Sequence, residues 1–410
     1  MTPKTAWILY DFANSAFATT VMAGFFPLFF KQYWHGGAPV DSTFQLGLVN
    51  AAASGLILVT APLLGAIADQ GRLHKRLLAG FALLGICATF ALALLQAGMA
   101  TYALLCFGLG LVGFSGANIF YDSLLMEVAA PAEYERVSSL GFALGYLGGG
   151  LLFALNVAMT LEPHWFGLAS SEQAVHLAFA SVAMWWLVFT LPLLWKVDER
   201  PCRRLSLSLV GDAWRQVART LGHVRAHRPA FLFLVAYWFY IDGVDTIVRM
   251  AVDYGLAIGL GWKGLIAALL LVQFVGFPAA VAYGRLGEWI GAKRAILLGL
   301  AVYVGVTAFA ARLDSATEFY ALAILIGLVQ GGVQALSRAY YAHLIPKAMA
   351  AEFFGFYNML GKFAAVLGPL LVGVTGRLAG DPRAGIFSIV ALFLIGGAVL
   401  LRVRPQVVAS

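Results

Sequence analysis

Apolar runs of about 20 residues or more recur along this chain with short polar turns between them, and that repetition decides what it can fold into. In hydrocarbon every backbone N–H and C=O needs an internal partner, so each run has to be a helix. The runs fall near 5–33, 44–69, 74–97, 100–129, 134–160, 173–196, 230–258, 262–289, 291–312, 316–345, 348–377 and 383–403. The expected fold is an all-α polytopic membrane protein with about twelve transmembrane helices. Only 11% of the residues are charged, against roughly 25% in soluble domains. The formal net charge of +7 therefore marks loops on one side of a bilayer, not a nucleic-acid surface.

An even number of spans puts both termini on one face. With this placement about 19 of the 27 lysines and arginines fall on that face and about five on the other, namely Lys31, Lys263, Arg312, Arg377 and Arg383. The asymmetry predicts cytoplasmic termini in a cytoplasmic (inner) cell membrane. Asp11 and Asn14 interrupt any secretory apolar core, so the first run reads as a retained span. Cys87 and Cys106 lie in apolar runs and Cys202 in a basic loop, which excludes a disulfide framework.

The long hydrophilic interruption at 197–229 divides six runs from six. The domains expected are a first bundle at 1–196, a basic linker at 197–229 and a second bundle at 230–410. Trp214, Val217, Leu221 and Val224 recur at helical spacing among arginines, which predicts an amphipathic helix on the inner leaflet. His223 and His227 stand four apart without further ligands nearby, so no metal site is expected.

Inside the runs, ionisable side chains are costly and face a bundle interior or a wet cavity. Asp11, Asn14 and Ser15, after Tyr10, put a polar stripe on one face of the first run. Asp242, Asp245 and Thr246 repeat the pattern in the seventh. Duplication of a polar-faced helix is a signal of a transporter built from repeats. The fourth run carries Asn118, Tyr121 and Asp122, and the tenth carries Gln330, Gln334 and Arg338. Asp122 stands nine residues before Pro131 and Arg338 eight before Pro346, so both lie ~12–14 Å from the same membrane face. Opposite charges at matched depth suit a contact between bundles. Arg249 is flanked at i±4 by Asp245 and Asp253, which neutralise it within its own helix, whereas Asp242 and Lys362 have no local counter-charge. Asn358 completes the candidate cavity residues.

Two loops at equivalent places repeat a second pattern. Gly65, Asp69, Gly71, Arg72 and Arg76 follow the second run, and Gly284, Glu288, Gly291 and Arg294 follow the eighth. Each supplies a small residue for close helix packing, an acid at a helix end, a turn glycine and a basic cluster. The acid is expected to accept from a neighbouring helix N-terminus and to pair with arginine, as a latch that breaks when the bundles rock. These loops resemble the signature loop of the major facilitator superfamily.

The resemblance narrows further. Tyr10-Asp11 with Asn14-Ser15, Gly141 through Gly149, Trp185-Trp186 with Pro192, Asp242-Gly243 with Thr246-Ile247, Gln330 through Arg338, and Glu352 through Tyr357 followed by Gly361-Lys362 are similar to the vacuole-effluxer-like family. That family comprises fungal vacuolar amino-acid exporters and bacterial relatives. One departure is Leu124-Leu125-Met126, where the family commonly has Leu-Leu-Pro, so no proline bend is expected there. The resemblance implies two pseudo-symmetric six-helix bundles around a cavity lined by the first, fourth, seventh and tenth helices. It also implies secondary active transport of a small polar solute, an amino acid, by alternating access in the export direction. Asp11, Asp122 and Asp242, as desolvated carboxylates, make protons the candidate coupling ion, the alternative being permanently paired acids in a facilitator. The chain lacks a phosphate-cradling Gly-rich loop, and its histidines fall in loops or near span ends, so neither an enzyme, a cofactor nor a metal is expected. The partners expected are the solute and the bilayer, the chain acting as a monomer. The alternative is a non-transporting membrane sensor or scaffold on the same fold.

Overall fold

Because the helices satisfy their own backbones, what remains for the chain to specify is how their faces pack. The computed structural model describes residues 1–35, 39–199, 207–222, 227–257, 261–313, 315–380 and 382–404. Cys202, His223 and Val224 lie outside the described residues, as do the side chains of Arg249, Asp253 and Lys362.

The first bundle comprises α1 (Pro3–Phe29), α2 (Pro39–Gly71), α3 (His74–Leu92), α4 (Ala100–Val128), α5 (Tyr134–Leu161) and α6 (Ser171–Lys196). The linker contributes α7 (Leu207–Gly222). The second bundle comprises α8 (Arg228–Ala257), α9 (Trp262–Ile290), α10 (Ala292–Ala310), α11 (Ala316–Ala342), α12 (Ala350–Ala379) and α13 (Pro382–Arg402). Among the described residues, eleven helices are long and apolar enough to cross a membrane. The 30-residue α12, at 1.5 Å per residue, reaches ~45 Å and completes the twelve.

The bundles meet where α9 and α11 pack on α5, and where α12 packs on α2 and α4. Gly65 sets the closest of these approaches: a Cβ there would run into the backbone of Ala351 and Glu352. On α1 the helical ladder widens to π geometry from Phe17 to Phe25, the stretch that follows Asp11, Asn14 and Ser15. Short π segments frequently mark functional sites.

The linker helix α7 seats Leu209 and Ala213 against Ala66, Ile67 and Leu73 at the α2–α3 corner, and leaves Trp214 and Leu221 exposed. One expectation is corrected: at the first signature loop the left-handed residue is Arg72 (φ 49°), not Gly71, whereas Gly291 takes it in the second (φ 86°).

Candidate functional site

A cavity of about 560 Å³ lies between the bundles. Asp11, Asn14 and Ser15 of α1, Asn118, Tyr121 and Asp122 of α4, Asp245 of α8 and Gln330, Gln334 and Arg338 of α11 all line it, as does Asn358 of α12. Asn50 and Ser54 on α2 and Gln273 on α9 also line it and are not among the sequence candidates. Each amide stands inside an apolar run, so the intramembrane polar signal was available for both. Two candidates do not reach the cavity. Tyr10 is core, its ring tilted against that of Tyr121 with centroids 4.9 Å apart. Asp242 is fully buried within the second bundle, where its two oxygens accept the Gly368 amide at 3.0 and 2.9 Å. A backbone N–H, invisible in a charge count, thus meets the acid that has no local counter-charge in sequence.

Arg338 organises the cavity floor. Its Nη1 donates to Asp122 Oδ1 (3.1 Å) and its Nη2 to Asp11 Oδ2 (3.4 Å) and to the Ser138 carbonyl (3.0 Å), while Nε donates to Ser138 Oγ (2.9 Å). The guanidinium carbon also lies 4.8 Å from the Trp7 ring centroid and 4.5 Å from that of Phe142. Every acceptor belongs to the first bundle and Arg338 to the second, so the cluster pins the bundles together. Asp122 takes a second donor across the same divide, Asn358 Nδ2 at 3.1 Å. Asn14 Nδ2 donates to Asn118 Oδ1 (2.7 Å), fixing two cavity amides against each other.

Below this pin the face carrying the termini is closed. Asp69 accepts the amides of Ala351 (3.0 Å) and Glu352 (2.8 Å), the first turn of α12. A carboxylate there satisfies orphan N–H groups and faces the positive end of the helix dipole. Its ionic partner is not Arg72 or Arg76, which are both exposed, but His74 Nε2 at 3.0 Å. His74 Nδ1 meets Glu199 Oε1 at 2.9 Å, so the ring faces a carboxylate at each nitrogen and donates from both as imidazolium. Burial alone would raise the Glu199 carboxyl, but the His74 ring and the amides of His74 and Lys75 outweigh it and hold it below its ordinary 4.5. Gln216 of α7 joins the closure: its Oε1 accepts from Gln70 Nε2 (2.7 Å) and its Nε2 donates to buried Glu352. The second loop builds no such latch. Glu288 and Arg294 are exposed, and Gly284 instead packs against Ser139 of α5. The repeated motif is used asymmetrically: Asp69 caps the first turn of α12, whereas Glu288 is exposed although Glu135 in the first turn of α5 lies beside Gly287.

Asp69→Asn is expected to weaken the closed state about tenfold, since a charge-assisted acceptor of two amides is replaced by a neutral one. Spin labels at Arg76→Cys and Lys347→Cys, with native cysteines replaced, should report a longer distance population. An unchanged distribution would rule out the latch.

The family model described as "Vacuole effluxer Atg22 like" matches residues 127–406. The MFS-type transporter YxiO of Bacillus subtilis is 37% identical over 98% of this chain and 95% of its own length. Autophagy-related protein 22-1 of Aspergillus niger is 26% identical over 66% of this chain, which is 47% of that longer protein. Among solved structures, the human organic anion transporter MFSD10 superposes with a TM-score of 0.70 at 17% identity, over 97% of this chain and 98% of that one. The proton:xylose symporter XylE also superposes at 0.70, with 13% identity over 98% and 94% of the two chains. At these identities the structures speak to the fold alone, and that fold is the major-facilitator one. The matched family model and the near full-length likeness to YxiO make the chain a member of the Atg22-like vacuole effluxer family: a multi-pass major-facilitator transporter, not an enzyme.

Proposed function

We propose that this transporter exports an amino-acid-like zwitterion by alternating access, in exchange for protons carried by Asp11. The observation that carries the reading is a cavity lined by carboxamides that ends on one arginine shared by two aspartates. Asn and Gln supply donors and acceptors together, which suits a solute bearing both an ammonium and a carboxylate. Asp245, on the second bundle, lines the same cavity. Arg338 is engaged on all three nitrogens in this state, so recognition of the carboxylate falls to the amides above it.

The two aspartates are unequally held. Asp122 has donors at 3.1 Å on both oxygens, whereas Asp11 has its arginine contact at 3.4 Å. A proton therefore displaces less at Asp11. Protonated Asp11 releases part of the pin and lets the terminal face open; losing the proton there restores the pin around a newly bound cargo. Cargo and proton then move in opposite directions. The lysine and arginine asymmetry supports termini in the cytoplasm of an inner membrane, and the relatives' description supports efflux.

Reconstituted proteoliposomes test the reading. An imposed pH gradient is expected to drive accumulation of labelled amino acids, with competition by zwitterions but not by their amides, decarboxylated amines or sugars. Equal competition by the amide, or accumulation indifferent to the gradient, overturns it.

A further inference from the structure

We infer that Ser138 and Gly141, one turn apart on α5, are positioning residues that present Arg338 to Asp11. This rests on the reading that Asp11 carries the coupling proton. Ser138 is fully buried at the bundle interface and uses both capacities of its hydroxyl. It accepts from Arg338 Nε at 2.9 Å and donates to the Ala335 carbonyl at 2.7 Å. Ala335 lies three residues before Arg338 on α11, so one hydroxyl grips both the helix backbone and the guanidinium at the same turn. The Ser138 carbonyl takes Nη2 at 3.0 Å, the nitrogen that also reaches Asp11. The rotamer of Arg338 is thereby set from the opposite bundle.

Gly141 supplies room where Ser138 supplies acceptors. A Cβ at position 141 would stand 2.9 Å from Asp11 Oδ2 and 3.1 Å from Arg338 Nη2, at the meeting point of the pair. Asp122 does not appear among the nearest atoms of that Cβ. Gly141→Ala therefore wedges the Asp11–Arg338 contact and spares the Asp122–Arg338 one. Among the described residues, the other titratable groups around Asp11 are Tyr10 on its own helix, Tyr121 and Asp122 on α4 and Tyr146 on α5; Arg338 is the cation among them. Tyr237 on α8 and Tyr357 on α12 face Asp122. With the arginine pushed away, no cation in this set remains against Asp11.

The test compares Ser138→Ala, Ser138→Thr and Gly141→Ala with the parent in proteoliposomes. Gradient-driven accumulation is measured across pH, and cargo counterflow at fixed pH. The pH midpoint should move up by about one unit in Ser138→Ala and Gly141→Ala, because a weakened cation no longer opposes protonation. Ser138→Thr, which keeps the hydroxyl, should stay within a few tenths of the parent. Counterflow should stay measurable, slowed at most about tenfold as the contacts between bundles weaken, which shows that the variants fold and bind cargo. A second readout needs no transport: the infrared carbonyl band of a protonated carboxyl, assigned by its loss in Asp11→Asn, should shift its pH midpoint in parallel. Parental midpoints in both Ser138→Ala and Gly141→Ala overturn the inference. If Asp11→Asn itself keeps pH-driven accumulation, the proton reading falls instead, and the two failures are told apart.

Discussion

Replacing Arg338 with methionine is expected to open the face that carries the chain termini and to lower net transport by at least about a hundredfold. The substitution leaves Asp122, Asp11 and the Ser138 carbonyl without the donor that now serves all three. Removing one partner of a buried ion pair costs about 3–5 kcal/mol, because the remaining charge stays desolvated. Here the cost falls on one conformation alone. The acceptors and the arginine belong to different bundles, so in the state with the terminal face open the acids regain water. An equilibrium moved by ~3–5 kcal/mol changes by about two to four powers of ten, enough to trap the protein open. Spin labels at Arg136→Cys and Lys347→Cys, both on exposed parts of this face, would record the change as a shift to long distances. Arg338→Lys should give only partial recovery, since an ammonium cannot span three acceptors held in a fixed fork. Combining Arg338→Met with Asp11→Asn and Asp122→Asn removes the charge from both sides and should restore closure without restoring transport. Normal distances and normal transport in Arg338→Met would dismiss the pin.

The Asp122–Arg338 contact is legible in the sequence because two independent quantities agree: the cost of an intramembrane charge and the depth counted from Pro131 and Pro346. Polar stripes read well for the same reason, since lipid leaves few places for Asn or Gln to go. Side chains whose partners are backbone atoms do not read at all. Asp242 has no local counter-charge in the sequence, yet it accepts the Gly368 amide. Ser138 has no signature either, because a serine in a helix gives no hint that its hydroxyl reaches another bundle. Asp69 and Glu288 have matching local sequence but different fates, one capping the first turn of α12 and the other exposed, which local sequence does not reveal. The linker shows a third limit: helical spacing does not reveal that Leu209 and Ala213 seat α7 at the α2–α3 corner, because that contact is tertiary.

Asp11→Asn should separate coupling from carriage. Asparagine keeps an oxygen for Arg338 and mimics the protonated acid, so the variant is held in one protonation state throughout the cycle. Gradient-driven accumulation is expected to vanish, while exchange of labelled for unlabelled cargo, which needs no net proton movement, should continue within severalfold of the parent. Asp122→Asn perturbs a different quantity. That residue receives Arg338 and Asn358 together, so its neutral form should loosen closure and slow exchange as well as accumulation. Asp242→Asn should lower thermal stability and leave the pH dependence alone, because its carboxylate serves Gly368 within one bundle and does not line the cavity. The three substitutions are chemically identical and differ only in surroundings, which makes the pattern across them more discriminating than any one result. Should Asp11→Asn still accumulate cargo under an imposed pH difference while Asp122→Asn does not, the proton site belongs to Asp122 and the longer arginine contact at Asp11 is merely structural. Accumulation persisting in both variants would exclude coupling through this cluster and leave a facilitator, driven by the gradient of its own cargo.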